Sequence, residues 1–119
     1  MEINMSISNS IVKNAAERAG FIQNNVLDIA YEMNIDELYQ IKTRLITSVN
    51  NLSNSVTEAF SLSNRLDRIR SFVLITGKML ECRDYLQLVN KLRITDTSKL
   101  MEEIDELTNL LMINSGSLN

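Results

Sequence analysis

The stretch SNRLDRIRSFVLITGKMLECRDYLQLVNKL, residues 63–92, decides the fold. At ~100° per residue, Ile69, Phe72, Thr76, Met79 and Leu86 fall within one arc, the face that a helix turns toward the core of its own subunit. On the far side Leu74, Lys78, Glu81, Tyr85, Leu88 and Leu92 step by 4, 3, 4, 3 and 4, and four of the six are apolar. One apolar stripe is enough for a helix at the surface of a monomeric bundle. The second stripe predicts that another subunit covers it, with those six residues at the boundary.

Three further amphipathic stretches flank this one. Val12, Ala15, Ala19, Ile22, Val26, Ile29 and Met33 keep a 3–4 spacing that predicts a first helix over 9–33. Asn34 and Ile35 break it, and Asp36 is placed to cap the next helix by accepting backbone N–H bonds. The second helix is predicted over 37–60, with Leu38, Ile41, Leu45, Leu52, Val56 and Ala59 inward. Its middle, Thr47 to Ser55, carries small polar residues on both faces; hydroxyls there can return a hydrogen bond to their own backbone. The third helix follows the turn Ser61–Asn64. Asp96 is the expected N-cap of a fourth over 97–112, with Leu100, Ile104, Leu107 and Leu111 as its stripe. Residues 1–8 and 114–119 read as frayed tails of one domain spanning 1–119. Four helices with short links predict an all-α, antiparallel up-down-up-down four-helix bundle.

Composition agrees. A chain of 119 residues is large enough for one core without metals or disulfides. It has no proline and only Gly20, Gly77 and Gly116 to punctuate hairpins. The single cysteine, Cys82, suits a reducing cytoplasm. No apolar run approaches the ~20 residues that span a bilayer, and Met1–Ser10 lacks the features of a signal peptide. A cytoplasmic protein with no membrane partner is expected.

Charge is segregated. Residues 61–93 hold seven basic and three acidic side chains, a local +4, whereas 94–119 hold one basic and five acidic, a local −4 within a net −3. Either the basic helix is matched inside the subunit or it meets an anionic partner. Arg65, Arg68, Arg70, Lys91 and Arg93 are the candidates for that second role, although a pI near 4.9 opposes strong nonspecific nucleic-acid binding.

Several motifs converge on one family. Asn51-Leu52-Ser53-Asn54-Ser55-Val56-Thr57-Glu58-Ala59 parallels a small-residue run ending in Glu-Gly/Ala, with Asn51 and Ser55 at positions that the family fills with Ser and Asn. Asp67-Arg68-Ile69-Arg70, Gly77-Lys78-Met79-Leu80-Glu81 and Tyr85-Leu86-Gln87-Leu88 follow in order, then Glu102-Glu103-Ile104-Asp105-Glu106-Leu107. Over Asp36 to Met112, about two-thirds of the chain, the sequence resembles the bacterial four-helix-bundle proteins encoded in rRNA intervening sequences. Their relatives include the accessory variability determinant proteins of diversity-generating retroelements. The first helix lacks the Phe-rich opening of the rRNA-encoded branch. The resemblance implies a ring-shaped homopentamer, and for the retroelement branch a basic surface that binds RNA or DNA and a reverse transcriptase.

Catalytic apparatus is missing from the sequence. With no histidine, the commonest general base and metal ligand are absent together. Cys82 reads as a small packing residue. Glu102, Glu103, Asp105 and Glu106 read as the solvated face of the fourth helix, since a di-metal bundle requires Glu-x-x-His. No catalytic, cofactor or metal site is expected, and the chain is not read as an enzyme. Arg83 lies on the inward arc; it either pairs with a carboxylate, Glu58 first, or snorkels into water. The expected function is that of a noncatalytic oligomeric accessory protein binding nucleic acid or a nucleic-acid enzyme. The alternative is a purely structural or protein-interaction oligomer.

Overall fold

A computed structural model of the chain describes residues 9–34 and 36–116. Among them the protein is all-α, with no strand: α1 (Asn9–Tyr31), α2 (Tyr39–Val49), α3 (Leu52–Ser61), α4 (Arg65–Lys91) and α5 (Ser98–Gly116), plus a 3₁₀ turn at Asp36–Leu38. The tail assigned to 1–8 lies outside the described residues, as do Ile35 and 117–119. The tail assigned to begin at 114 is corrected, because α5 continues to Gly116 and Asn114 Nδ2 donates to the Leu110 carbonyl at 2.7 Å.

The second predicted helix is two helices. Asn51 sits in the left-handed region at φ 59° and ψ 24°, a conformation that asparagine tolerates better than most L-residues. It separates α2 from α3, and Ser55 N–H donates back to the Asn51 carbonyl at 2.9 Å. Gln23 on α1 completes the start of α3, its Oε1 accepting from Ser53 N–H at 2.9 Å. Asp36 does not cap α2 as expected. It belongs to the 3₁₀ turn, and α2 begins after Leu38 with no side-chain cap bond.

α1 and α4 each pack against both halves of this broken helix and against α5. The cross-section of 21 × 18 Å is about two helix diameters in each direction. Between the helices lie Ala15, Ala19, Ile22, Val26 and Ala30 of α1, Leu45 and Val49 of α2, and Val56 of α3. From α5 come Leu100, Ile104, Leu107 and Leu111, all buried as the spacing predicts. On α4 the buried positions are Arg68, Phe72, Ile75, Met79, Cys82, Leu86 and Val89, a strict 4–3 repeat. Ile69 and Thr76, assigned to this arc from sequence, are only half-buried. α4 and α5 run in opposite senses: Thr97 Oγ1 donates to the Leu86 carbonyl at 2.7 Å, while Arg83, earlier on α4, meets Asp105, later on α5. No helix among the described residues is long and apolar enough to cross a membrane.

Candidate functional site

α4 has 27 residues, about 40 Å at 1.5 Å per residue, and it carries nearly all the candidate residues. Asn64 starts it by accepting from Asp67 N–H at 3.0 Å. A Schellman turn ends it. Arg93 takes φ 58°, its N–H donates to the Asn90 carbonyl at 3.0 Å, and Ile94 N–H donates to the Val89 carbonyl at 3.2 Å.

The candidate basic residues do not come together. Arg65 and Arg70 are exposed near the start of α4, whereas Lys91 and Arg93 are exposed at its end, roughly 30–40 Å away along the axis. Arg68 is turned inward and leaves the exposed set. It is 8% exposed, its Nη1 donates to the Leu62 carbonyl at 2.7 Å, and its buried Nε has no hydrogen-bond partner among the described residues. Its guanidinium ties the α3–α4 turn to the core, where the Phe60 and Phe72 rings pack with centroids 4.9 Å apart. The signal that assigns Arg68 to the core is the 4–3 repeat that it shares with Phe72, Ile75 and Met79.

The outer stripe is largely accessible. Leu74 is 70% exposed, Leu92 51% and Leu88 39%; Lys78 and Glu81 are exposed as well. Tyr85 differs, being half-buried against the core. Leu66, Val73 and Leu80, not assigned to this stripe from the sequence, are also exposed on α4. Beside the stripe, the break between α2 and α3 leaves a groove of about 320 Å³ against α4. Leu52, Leu62 and Ile75 give it apolar walls, while Glu58 and Lys78 supply opposite charges.

Glu102, Asp105 and Glu106 are exposed on α5, as a solvated face requires, and only Glu103 is half-buried; three of the four nonetheless form ion pairs within the subunit. Glu103 accepts from Arg18 Nη1 at 3.0 Å, and Glu106 also pairs with Arg18. Asp105 holds Arg83 in a two-point contact, Nε–Oδ1 at 2.7 Å and Nη2–Oδ2 at 3.1 Å. The partner of Arg83 is therefore Asp105 and not Glu58. The hydrogen bond and charge of Asp105 raise the Arg83 pKa further above its ordinary value. Charge matching between the basic and acidic segments is partly internal.

Cys82 is fully buried, and burial pushes its thiol up to about 11 despite a hydrogen bond with Ser48. A thiol held neutral in this way is a poor nucleophile. No group of three or more His, Cys, Asp or Glu residues among the described residues is arranged to hold a metal ion. Asp96 is exposed, and accepting the Ser98 N–H at 2.9 Å lowers its pKa. α5 begins at Ser98, one residue later than the sequence predicts, so the expected N-cap is corrected: Thr97 holds that position, and Asp96, one residue before it, accepts the first N–H of the helix. In comparisons with known proteins, no family model, no curated protein and no solved structure matches this chain.

Proposed function

We propose that the chain is a noncatalytic, homo-oligomeric accessory protein of the bacterial cytoplasm, built as an antiparallel up-down-up-down four-helix bundle. It binds nucleic acid, RNA or DNA, or a nucleic-acid enzyme such as a reverse transcriptase. The observation that carries this reading is the outer side of α4: six large apolar side chains, Leu66, Val73, Leu74, Leu80, Leu88 and Leu92, are each more than a third exposed. Large apolar side chains left exposed in this number along one side of a helix support an interaction site. The adjacency of the helices and the opposed run of α4 and α5 support the bundle topology. The resemblance to the intervening-sequence and variability-determinant proteins supports a ring of five and a nucleic-acid partner.

Arg65, Arg70, Lys91 and Arg93 carry the anionic contacts in this reading. They form two separated pairs per subunit, so a single subunit binds weakly and an oligomer binds through repetition. Light scattering combined with low-salt gel shifts on short RNA and DNA, with and without reverse transcriptase, tests the reading. An oligomer whose binding falls steeply with salt supports it, because phosphate contacts release counterions. An oligomer that binds neither nucleic acid nor enzyme gives the second reading, a structural or protein-interaction oligomer. The burial of Arg68 and the internal pairing of Arg83 favour that second reading, since both remove charge from the available surface.

A further inference from the structure

Gly77 lies at the middle of α4 on its solvent side, and an added Cβ would meet nothing within 4 Å. Glycine is the poorest ordinary residue for a helix interior, and no packing within the subunit calls for one here. At 100° per residue, Leu66, Arg70, Asp84 and Leu88 all lie within about 20° of Gly77, and Phe72, Met79, Cys82 and Leu86 lie on the opposite side. All four of the first group are exposed. Their order along the chain is symmetric about Gly77. Arg70 and Asp84 stand seven residues before and after it, Leu66 and Leu88 eleven, Leu74 and Leu80 three.

We infer that a second copy of this chain docks on the outer face of α4, with the two α4 helices antiparallel and crossing at Gly77 on a two-fold axis. The inference rests on the oligomer part of the proposed function; it sets a self-complementary contact in place of the head-to-tail contacts that a ring of five requires, and it takes Arg70 out of the anionic set, leaving Arg65, Lys91 and Arg93. Charge complementarity identifies the occupant. In the antiparallel register Arg70 faces the partner's Asp84, about 10 Å from the axis, and the same pair repeats on the other side. Leu66 meets the partner's Leu88 at each end, and Leu74 and Leu80 flank the crossing. A parallel register instead sets Arg70 against the partner's Arg70 and Asp84 against the partner's Asp84, placing like charges together. Arg83, adjacent to Asp84, is already bound to Asp105, which leaves Arg70 as the arginine that the stripe itself supplies. An isologous contact needs a surface complementary to itself, and this stripe has that property. Glycine at the crossing lets the two backbones approach closely.

The test uses the full chain, with sedimentation velocity and light scattering over a dilution series, and circular dichroism to verify helicity. The wild type is expected as a dimer or an even-numbered assembly of dimers. Asp84→Arg should weaken association by about 100-fold or more, since two facing pairs become repulsive. The double variant Arg70→Asp with Asp84→Arg restores opposite charges and should recover the dimer. Gly77→Leu should also dissociate it while leaving the subunit helical. A pentamer indifferent to Asp84→Arg overturns the two-fold inference and leaves the oligomer reading standing. A monomeric wild type overturns both. Failure of the double variant to reassociate, with Asp84→Arg folded and dissociated, overturns the Arg70–Asp84 register.

Discussion

On its inner face α4 buries Phe72, Met79, Cys82, Leu86 and Val89 to 1% exposure or less, whereas on its outer face Leu66, Val73, Leu74 and Leu80 remain 53–70% exposed. Both faces are rich in large apolar side chains, so hydropathy alone does not separate them. The polar groups do. The inner face is bordered by groups whose partners are already made: Arg68 with the Leu62 carbonyl, Arg83 with Asp105, and the Leu86 carbonyl with Thr97. On the outer face, exposed Arg70 and Asp84 surround an exposed glycine. Polar groups engaged within the subunit mark the inner side, Arg68 Nε excepted; exposed opposite charges among leucines mark the side offered to something else.

The sharpest way to break this comparison is to truncate a leucine on each face. Leu86→Ala removes a fully buried side chain and should cost about 2–5 kcal/mol, the range for cavity-forming core truncations. Leu80→Ala, at 55% exposure, should stay within about 0.5 kcal/mol for the dissociated subunit. Urea unfolding at protein concentrations below the association midpoint measures both. Equal losses would mean that the outer face contributes to subunit stability and is not reserved for a partner.

The next effect is in the pH dependence. The folded thiol of Cys82 titrates at about 11, above its ordinary 9.0, so the folded state holds the proton more tightly than the unfolded chain. The stabilisation is complete below pH 9 and is lost as the pH rises toward 11. Its ceiling is about 2–3 kcal/mol at ~1.36 kcal/mol per pKa unit. The difference in unfolding free energy between wild type and Cys82→Ala should therefore shrink between pH 9 and 11. A constant difference across that window would show that the thiol ionises without a burial penalty.

The two faces are unequally legible in the sequence, for physical reasons. The stripes of α1 and α5 are readable because leucine and alanine recur at helical spacing with little competition from other faces. The break at Asn51 is invisible to that signal. Leu45, Val49, Leu52, Val56 and Ala59 are buried at steps of 4, 3, 4 and 3, so the apolar stripe crosses from α2 to α3 in phase. What divides the helix is a backbone conformation, for which the adjacent Asn50 and Asn51 are the available cue. Arg68 is missed because charge argues for the surface, although the repeat it shares with Phe72 and Ile75 places it inside. The partner of Arg83 depends on how α4 slides against α5, a quantity that periodicity within one helix does not contain. The exposed outer stripe is legible in outline, yet the symmetry about Gly77 becomes meaningful only once that glycine is seen facing open space.

At the edge between the faces, the Arg83–Asp105 pair should matter modestly. Both side chains are substantially exposed, at 34% and 51%, and water screens them. A double-mutant cycle with Arg83→Ala and Asp105→Ala should give a coupling of at most about 1 kcal/mol that diminishes with salt. A larger, salt-insensitive coupling would place the pair within the rigid inner set.

Arg93→Gly gives the smallest change in stability and separates conformational strain from charge. Arg93 occupies the left-handed position of the turn after α4, where glycine is the ordinary choice because it has no Cβ to crowd the carbonyl. Relief of that crowding is worth about 1–2 kcal/mol, and glycine's greater freedom in the unfolded chain, about 0.4–1 kcal/mol, offsets much of it. The net gain expected in urea unfolding is a few tenths of a kcal/mol on this scale. Nucleic-acid affinity should move the other way if Arg93 contacts phosphate, with a shallower salt dependence because one cation fewer neutralises the backbone. Lys91→Gln supplies the comparison: it removes a charge at the same end of α4 without altering the turn. If both variants lose affinity, the end of α4 binds through charge. If Arg93→Gly becomes more stable and neither variant loses affinity, the basic end has no phosphate partner, and any anionic contact on α4 falls to the arginines at its start, Arg65 and Arg70.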